Sequence, residues 1–188
     1  MAQFKTKKLS SIASIRAGEP LNRIRHTDDP PYIYTVFSSD ISDLQLIESP
    51  NKLSVLTTSD IIISTMQKKA YLMELNDSNA IASTNYIIVT PKPELDSEFF
   101  LWWFNESNDA ARQKELLKQG SSLTRLSISA LKNIAVPLLP IERQRQIGKF
   151  YATQFSLQQL LERKATLSRR LTNGLLNQQI AKEHNHAK

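Results

Sequence analysis

The chain has 188 residues, 40% hydrophobic and 22% charged, with no cysteine and a net charge of +6. That length suits one domain with a core plus an appendage, and the composition excludes a disordered or fibrous chain. The lack of cysteine excludes disulfides, thiolate metal sites and a cysteine nucleophile. Charge is unevenly spread: residues 1–30 hold six Lys/Arg against three Asp/Glu, residues 31–110 four against eleven, and residues 111–188 fourteen against four. A basic balance favours a nucleic-acid partner through counterion release, although lysine-rich surfaces also serve solubility. The apolar runs fall short of the ~18 residues a membrane span needs, and MAQFKTKKLSS lacks the apolar core of a signal peptide. The expectation is a cytoplasmic chain with no membrane partner.

Residues 32–90 read as strands. YIYTVF (32–37), LQLI (44–47), DIIIST (60–65), YLMEL (71–75) and AIASTNYIIVT (80–90) are β-branched or aromatic runs separated by Ser, Asn, Asp and Pro clusters. Together they predict one small, strongly bent sheet. PKPELD then stops the strands, and Asp96 or Ser97 caps a helix, SEFFLWWFNES, whose Phe99, Phe100, Trp102 and Trp103 supply an apolar face for the core rather than a base-stacking surface. DAARQKELLKQG continues as a second helical piece, ended by Gly120.

After a linker, SSLTRLSISALKNIAVPLLP, Pro140 can start a helix, Glu142 lies in its first turn, and no proline follows. The pattern predicts one helix from Ile141 to Ala181, roughly 60 Å long at 1.5 Å per residue. Its Phe150, Leu157, Leu160, Leu167 and Leu171 follow a 3.5-residue spacing, interrupted by Thr153, Lys164 and Gly174 and widened by Ile147, Leu161 and Leu175. A domain this small cannot cover so long a stripe, so a second copy is the simplest cover.

The stretch DDPPY (28–32) resembles the active-site signature of methyltransferases that modify exocyclic amines of bases, where a carboxylate holds the amine and the aromatic ring stacks on the flipped base. Such an enzyme also needs a glycine-rich turn after a strand and an alternating βαβ pattern. Here Gly18, Gly120, Gly148 and Gly174 stand alone, and the strands precede the helices as a block. Pro30-Pro31 therefore reads as a stiff turn launching YIYTVF. His184 and His186, in the polar tail KEHNHAK, offer only a weak metal site. There is no phosphate loop, nucleophile elbow or carboxylate cluster with catalytic spacing. No catalytic residue, metal or cofactor is expected.

An ordered series of segments resembles the specificity subunits of type I restriction-modification systems. KKLSSIASIRAGEP is similar to the family's opening, LTTSDIIIST to its "l..gDili" strand, NAIASTNYIIV to the core strand that follows, and KQGSSLTRLSISALKNIAVPLLPIERQRQI to its passage into a conserved long helix. STMQKKAYLM departs from the family in lacking the glycines often found after "Dili".

The resemblance implies a non-enzymatic α/β (α+β) chain: a small bent-sheet target-recognition domain over residues 1–138, a spacer and dimerisation helix over 139–181 forming an antiparallel coiled-coil dimer, and a disordered tail over 182–188. Family members usually carry two such domains and two such helices, so the chain looks like a half-subunit acting as a homodimer on a bipartite palindromic site. Double-stranded DNA, methyltransferase subunits and, through them, restriction subunits are the implied partners. The residues expected to read or hold DNA are Arg23 and Arg25; Gln67, Lys68 and Lys69; and Ser121, Ser122 and Arg125. Those expected to pair helices are Phe150, Leu157, Leu160, Leu161, Leu167, Leu171 and Leu175. The alternative is a helix-mediated dimeric interaction module without DNA binding, in which Arg163-Lys164 and Arg169-Arg170 are a solvated face.

Overall fold

A computed structural model describes residues 5–23, 32–37, 44–72, 79–117 and 125–186, without the side chains of Arg23, Leu44 and residues 180–186. In chain order the elements are β1 (Lys5–Lys8), α1 (Leu9–Ile12), β2 (Ala13–Ala17), a 3-10 turn (Leu21–Arg23), β3 (Tyr32–Phe37), β4 (Leu44–Ser49), β5 (Ile61–Ser64), β6 (Ala70–Leu72), β7 (Ala80–Ala82), β8 (Tyr86–Pro91), α2 (Ser97–Glu106), α3 (Asn108–Leu116), α4 (Ile128–Lys132), β9 (Ala135–Leu138) and α5 (Ile141–His186). The chain divides into two compact units, residues 1–149 and 150–188. That boundary lies within α5, beyond the 138/139 boundary expected from the sequence. The helix also continues to His186, through most of the segment 182–188 expected to be disordered.

The described strands form three sheets rather than one: β1-β9, β2-β8-β5-β6 and β4-β3-β7. The first two are antiparallel throughout, whereas β3 pairs antiparallel with β4 and parallel with β7. The run AIASTNYIIVT is not one strand. Ser83 breaks it: Tyr86 N–H donates to Ser83 O at 3.0 Å, so β7 stays with β3 while β8 turns into the four-stranded sheet.

β5 explains why DIII has no polar alternation. All four of its residues are buried, with Ile61 and Ile63 packing on the aromatic face of α2 and Ile62 packing on Phe37, Leu56, Tyr86 and Ile88. A strand covered on both faces needs apolar residues at every position, and each such isoleucine contributes about 1.5–3 kcal/mol by leaving water. Asp60, also buried, accepts from Thr57 N–H at 2.9 Å and from the Thr90 hydroxyl, with the Arg16 guanidinium 3.8 Å away. It folds the turn that feeds β5.

Helix α2 is capped by Asp96, which accepts from Phe99 N–H at 2.8 Å, and it buries Phe99, Phe100, Trp103 and Phe104. Phe99, Phe100 and Trp103 are core, as expected, joined by Phe104, while Trp102 is half-buried against the same cluster. The stretch read as a linker holds structure of its own: Ser127 caps α4, and Leu131, Ile134 and Val136 enter the core. The Gln113 amide completes the edge of β9, donating to Ala135 O at 2.9 Å and accepting from Ala135 N–H at 2.8 Å.

The start of α5 is latched into the first unit. Gln144, fully buried, accepts from Asp96 N–H at 3.0 Å and donates to Glu94 O at 3.0 Å and Leu139 O at 2.8 Å. Gly148 lies so close to α2 that a Cβ there would stand 2.7 Å from both Glu98 Cβ and Phe99 N.

Candidate nucleic-acid interface

The turn between β5 and β6 is built by its own backbone. Ser64 N–H donates to Lys69 O and Lys68 N–H to Ser64 O, each at 2.9 Å, while Ser64 Oγ accepts from Gln67 N–H at 3.1 Å. Lys68 takes the left-handed conformation, φ 56°. A glycine would do this without penalty; for lysine it costs about 1 kcal/mol, and the closed ring of hydrogen bonds holds it in place. One end of the turn is fastened by Thr65, whose N–H and Oγ1 both donate to Asn85 O at 2.9 Å. The other is clamped by Asn105, whose amide exchanges two 2.9 Å bonds with Ala70.

This turn gathers residues distant in sequence. Leu126 N–H donates to Thr65 O at 2.8 Å, and Arg125 Nε donates to Met66 Sδ at 3.0 Å. Gln67, Lys68, Lys69 and Arg125, read from the sequence as two separate groups, thus stand at one corner. Gln67, Lys69 and Arg125 are exposed and Lys68 is half-buried. Lys114 adds a further cation beside them. Its Nζ donates to Phe104 O at 2.7 Å and lies 4.6 Å from the Phe104 ring centre. Burial lowers its pKa, Glu106 opposes the shift, and the neighbouring Lys69 charge adds to it.

Arg25, Ser121 and Ser122 lie outside the described residues, as do Asp28–Pro31 of DDPPY and Gly120; of Arg23 only the backbone is described. Sequence reasoning missed Met66, Tyr71 and Asn105. Tyr71 donates its hydroxyl proton to Gln67 Oε1. A tyrosine four residues after a glutamine in the turn is the only local signal, and it is shared by many hairpins. Among the described residues no group of three or more His, Asp or Glu could hold a metal ion, and no helix is long and apolar enough to cross a membrane.

The second unit offers a different surface. From Thr153 to Gln179 every residue is exposed. Phe150, Leu157, Leu160, Leu161, Leu167, Leu171 and Leu175 are each 50–76% exposed, with Leu176 at 53% and Phe155 at 49%. Tyr151 and Phe155 stack with ring centres 6.3 Å apart.

The family pattern described as the type I restriction modification DNA specificity domain matches residues 1–169. No curated protein matches the sequence significantly. Among solved structures, the HsdS subunit from Thermoanaerobacter tengcongensis is similar with TM-score 0.58 and 16% identity, over 84% of this chain and 38% of that one. A chain from work on complex assembly and conformational transition of the type I R-M system gives TM-score 0.57 and 15% identity, over 87% and 41%. The type I S subunit from M. genitalium gives 0.51 and 17%, over 80% and 38%. At these identities the likeness speaks to the fold, and the chain spans about two fifths of the length of each of these structures. With most of its length matched, the chain belongs to the type I restriction-modification DNA specificity domain family.

Proposed function

We propose that the chain reads DNA through the β5–β6 corner and acts as a half-subunit, two copies pairing through α5 to recognise a bipartite palindrome while methyltransferase subunits dock on the paired helices. The observation that carries this reading is the convergence of Gln67, Lys68, Lys69 and Arg125 on one exposed turn. A side-chain amide beside three cations combines base-edge and phosphate chemistry. Arg23, Arg25, Ser121 and Ser122 remain further proposed DNA contacts on the strength of the sequence alone. The exposed leucines of α5 supply the seam for the second copy, because a stripe of this size in water is a liability unless covered. Base flipping, methyl transfer and cleavage belong to partner subunits, so the reader itself needs no cofactor and works in the cytoplasm, where the DNA is.

The test is duplex binding across a salt series. Replacing Lys68 and Lys69 with alanine is expected to lower the slope of log K against log salt by roughly one per lost phosphate contact. An unchanged slope would remove both lysines from the interface, and no binding at low salt would favour the interaction-module reading.

A further inference from the structure

Gln67 of the DNA-reading surface is paired with Tyr71, a residue that the reading above does not use. Tyr71 lies in β6 opposite Ile62 of β5, and its half-buried ring packs on the cluster of Phe37, Leu56, Ile62, Tyr86 and Ile88. The ring is thus held by the core while the hydroxyl reaches the turn and donates to Gln67 Oε1. A free glutamine on a surface samples many rotamers and both orientations of its amide, and ordering it on binding costs conformational entropy. With Tyr71 donating to it, the oxygen end is fixed. Oε1 keeps one lone pair for a further donor, and the Nε2 hydrogens have no other partner among the described residues. One acceptor and one donor, side by side and of set polarity, match the adenine edge in the major groove, where N6–H donates and N7 accepts.

We propose that Tyr71 is a positioning residue that sets the amide polarity of Gln67 for bidentate reading of one adenine. This rests on the DNA-reading function proposed above and adds to it a base and a second residue. The turn supports the role: its backbone ring and the Asn105 clamp on Ala70 keep Gln67 and Tyr71 on one short, rigid hairpin.

The full chain is used to select from a randomised duplex pool, alongside the variants Q67A, Y71F, the double variant and Q67E. The wild type is expected to enrich a motif containing adenine at a position that Q67A flattens by roughly ten-fold or more. Y71F is expected to flatten the same position by roughly three-fold, and the double variant to match Q67A alone, since coupled residues are non-additive. Binding to non-specific duplex stays unchanged in Y71F, whereas Q67E, which brings a carboxylate beside the cations, weakens it uniformly across sequences. Q67E retains the acceptor that Tyr71 holds but loses the donor, and being exposed it leaves folding intact. It is expected to shift the position from adenine towards cytosine, whose N4 amine donates.

A Y71F variant with wild-type preferences, an additive double variant, or adenine retained by Q67E overturns the inference while leaving DNA reading in place. A wild-type chain that enriches no sequence overturns DNA reading itself, and this inference with it.

Discussion

The two stretches of α5 invert the usual relation between side-chain type and burial. In Ile141–Lys149 the buried residues are a glutamine and a glycine, Gln144 and Gly148, whereas beyond Phe150 leucines stand in water, Leu160 64% exposed. Gln144 is buried because its amide satisfies three backbone groups that would otherwise be left unpaired. Gly148 is buried because α2 leaves no room for a Cβ. The leucines have neither reason nor cover among the described residues. The first stretch is fitted to its own domain, while the second, on the function proposed above, is fitted to a second copy.

Substitutions on the two stretches should therefore act on different equilibria. The largest effect is expected from Gly148→Ala, whose Cβ would press on Phe99 N and Glu98 Cβ; a loss of about 3 kcal/mol in urea unfolding follows from overpacking, and an unaltered midpoint would mean that α2 yields freely. Gln144→Ala strands Asp96 N–H and two carbonyls, for which about 2 kcal/mol is expected in the same assay. Leu171→Ala should leave that unfolding curve alone and weaken self-association about ten-fold, or 1.4 kcal/mol, in sedimentation equilibrium. Were the leucine change to destabilise the monomer instead, the stripe would be part of its own fold. The smallest effect is Gly174→Ala. Nothing among the described residues lies within 4 Å of a Cβ there, so helix propensity alone predicts a gain of about 1 kcal/mol in helix stability, read by circular dichroism on heating. A loss of self-association in that variant would show that the pairing helix approaches closely at Gly174.

Much of the fold was legible where one physical signal dominated. The β-branched runs of β3, β5 and β8 and the aromatic face of α2 announce themselves by burial on a pleated or helical period, and Asp96 marks the start of α2. β1 and β2 give no such signal, because KTKK and ASIRA are edge-like and half-polar. The break at Ser83–Asn85 was invisible because Ser-Thr-Asn is compatible with strand or turn, and only the pairing of β7 with β3 decides it. The tail 182–188 reads as polar and frayed, yet helix propensity carries α5 to His186.

The candidate site was legible in composition and illegible in arrangement. Gln67, Lys68 and Lys69 stood out as a polar turn after a buried strand, and Arg125 as a cation in a polar stretch. Their meeting depends on the bond from Leu126 N–H to Thr65 O, which joins residues far apart in sequence and leaves no mark on spacing. Asn105 and Gln113 were equally hidden, since an amide that completes a sheet edge looks like any helix-surface amide.

The most direct test of the reader-and-seam account is a map of methylated bases in cells that carry this chain, as the sole specificity component, with its methyltransferase subunits. The account predicts a bipartite palindrome whose half-sites lie roughly 10 base pairs apart, centre to centre. An asymmetric motif would contradict the paired half-subunit, and a genome left unmodified would contradict the reader.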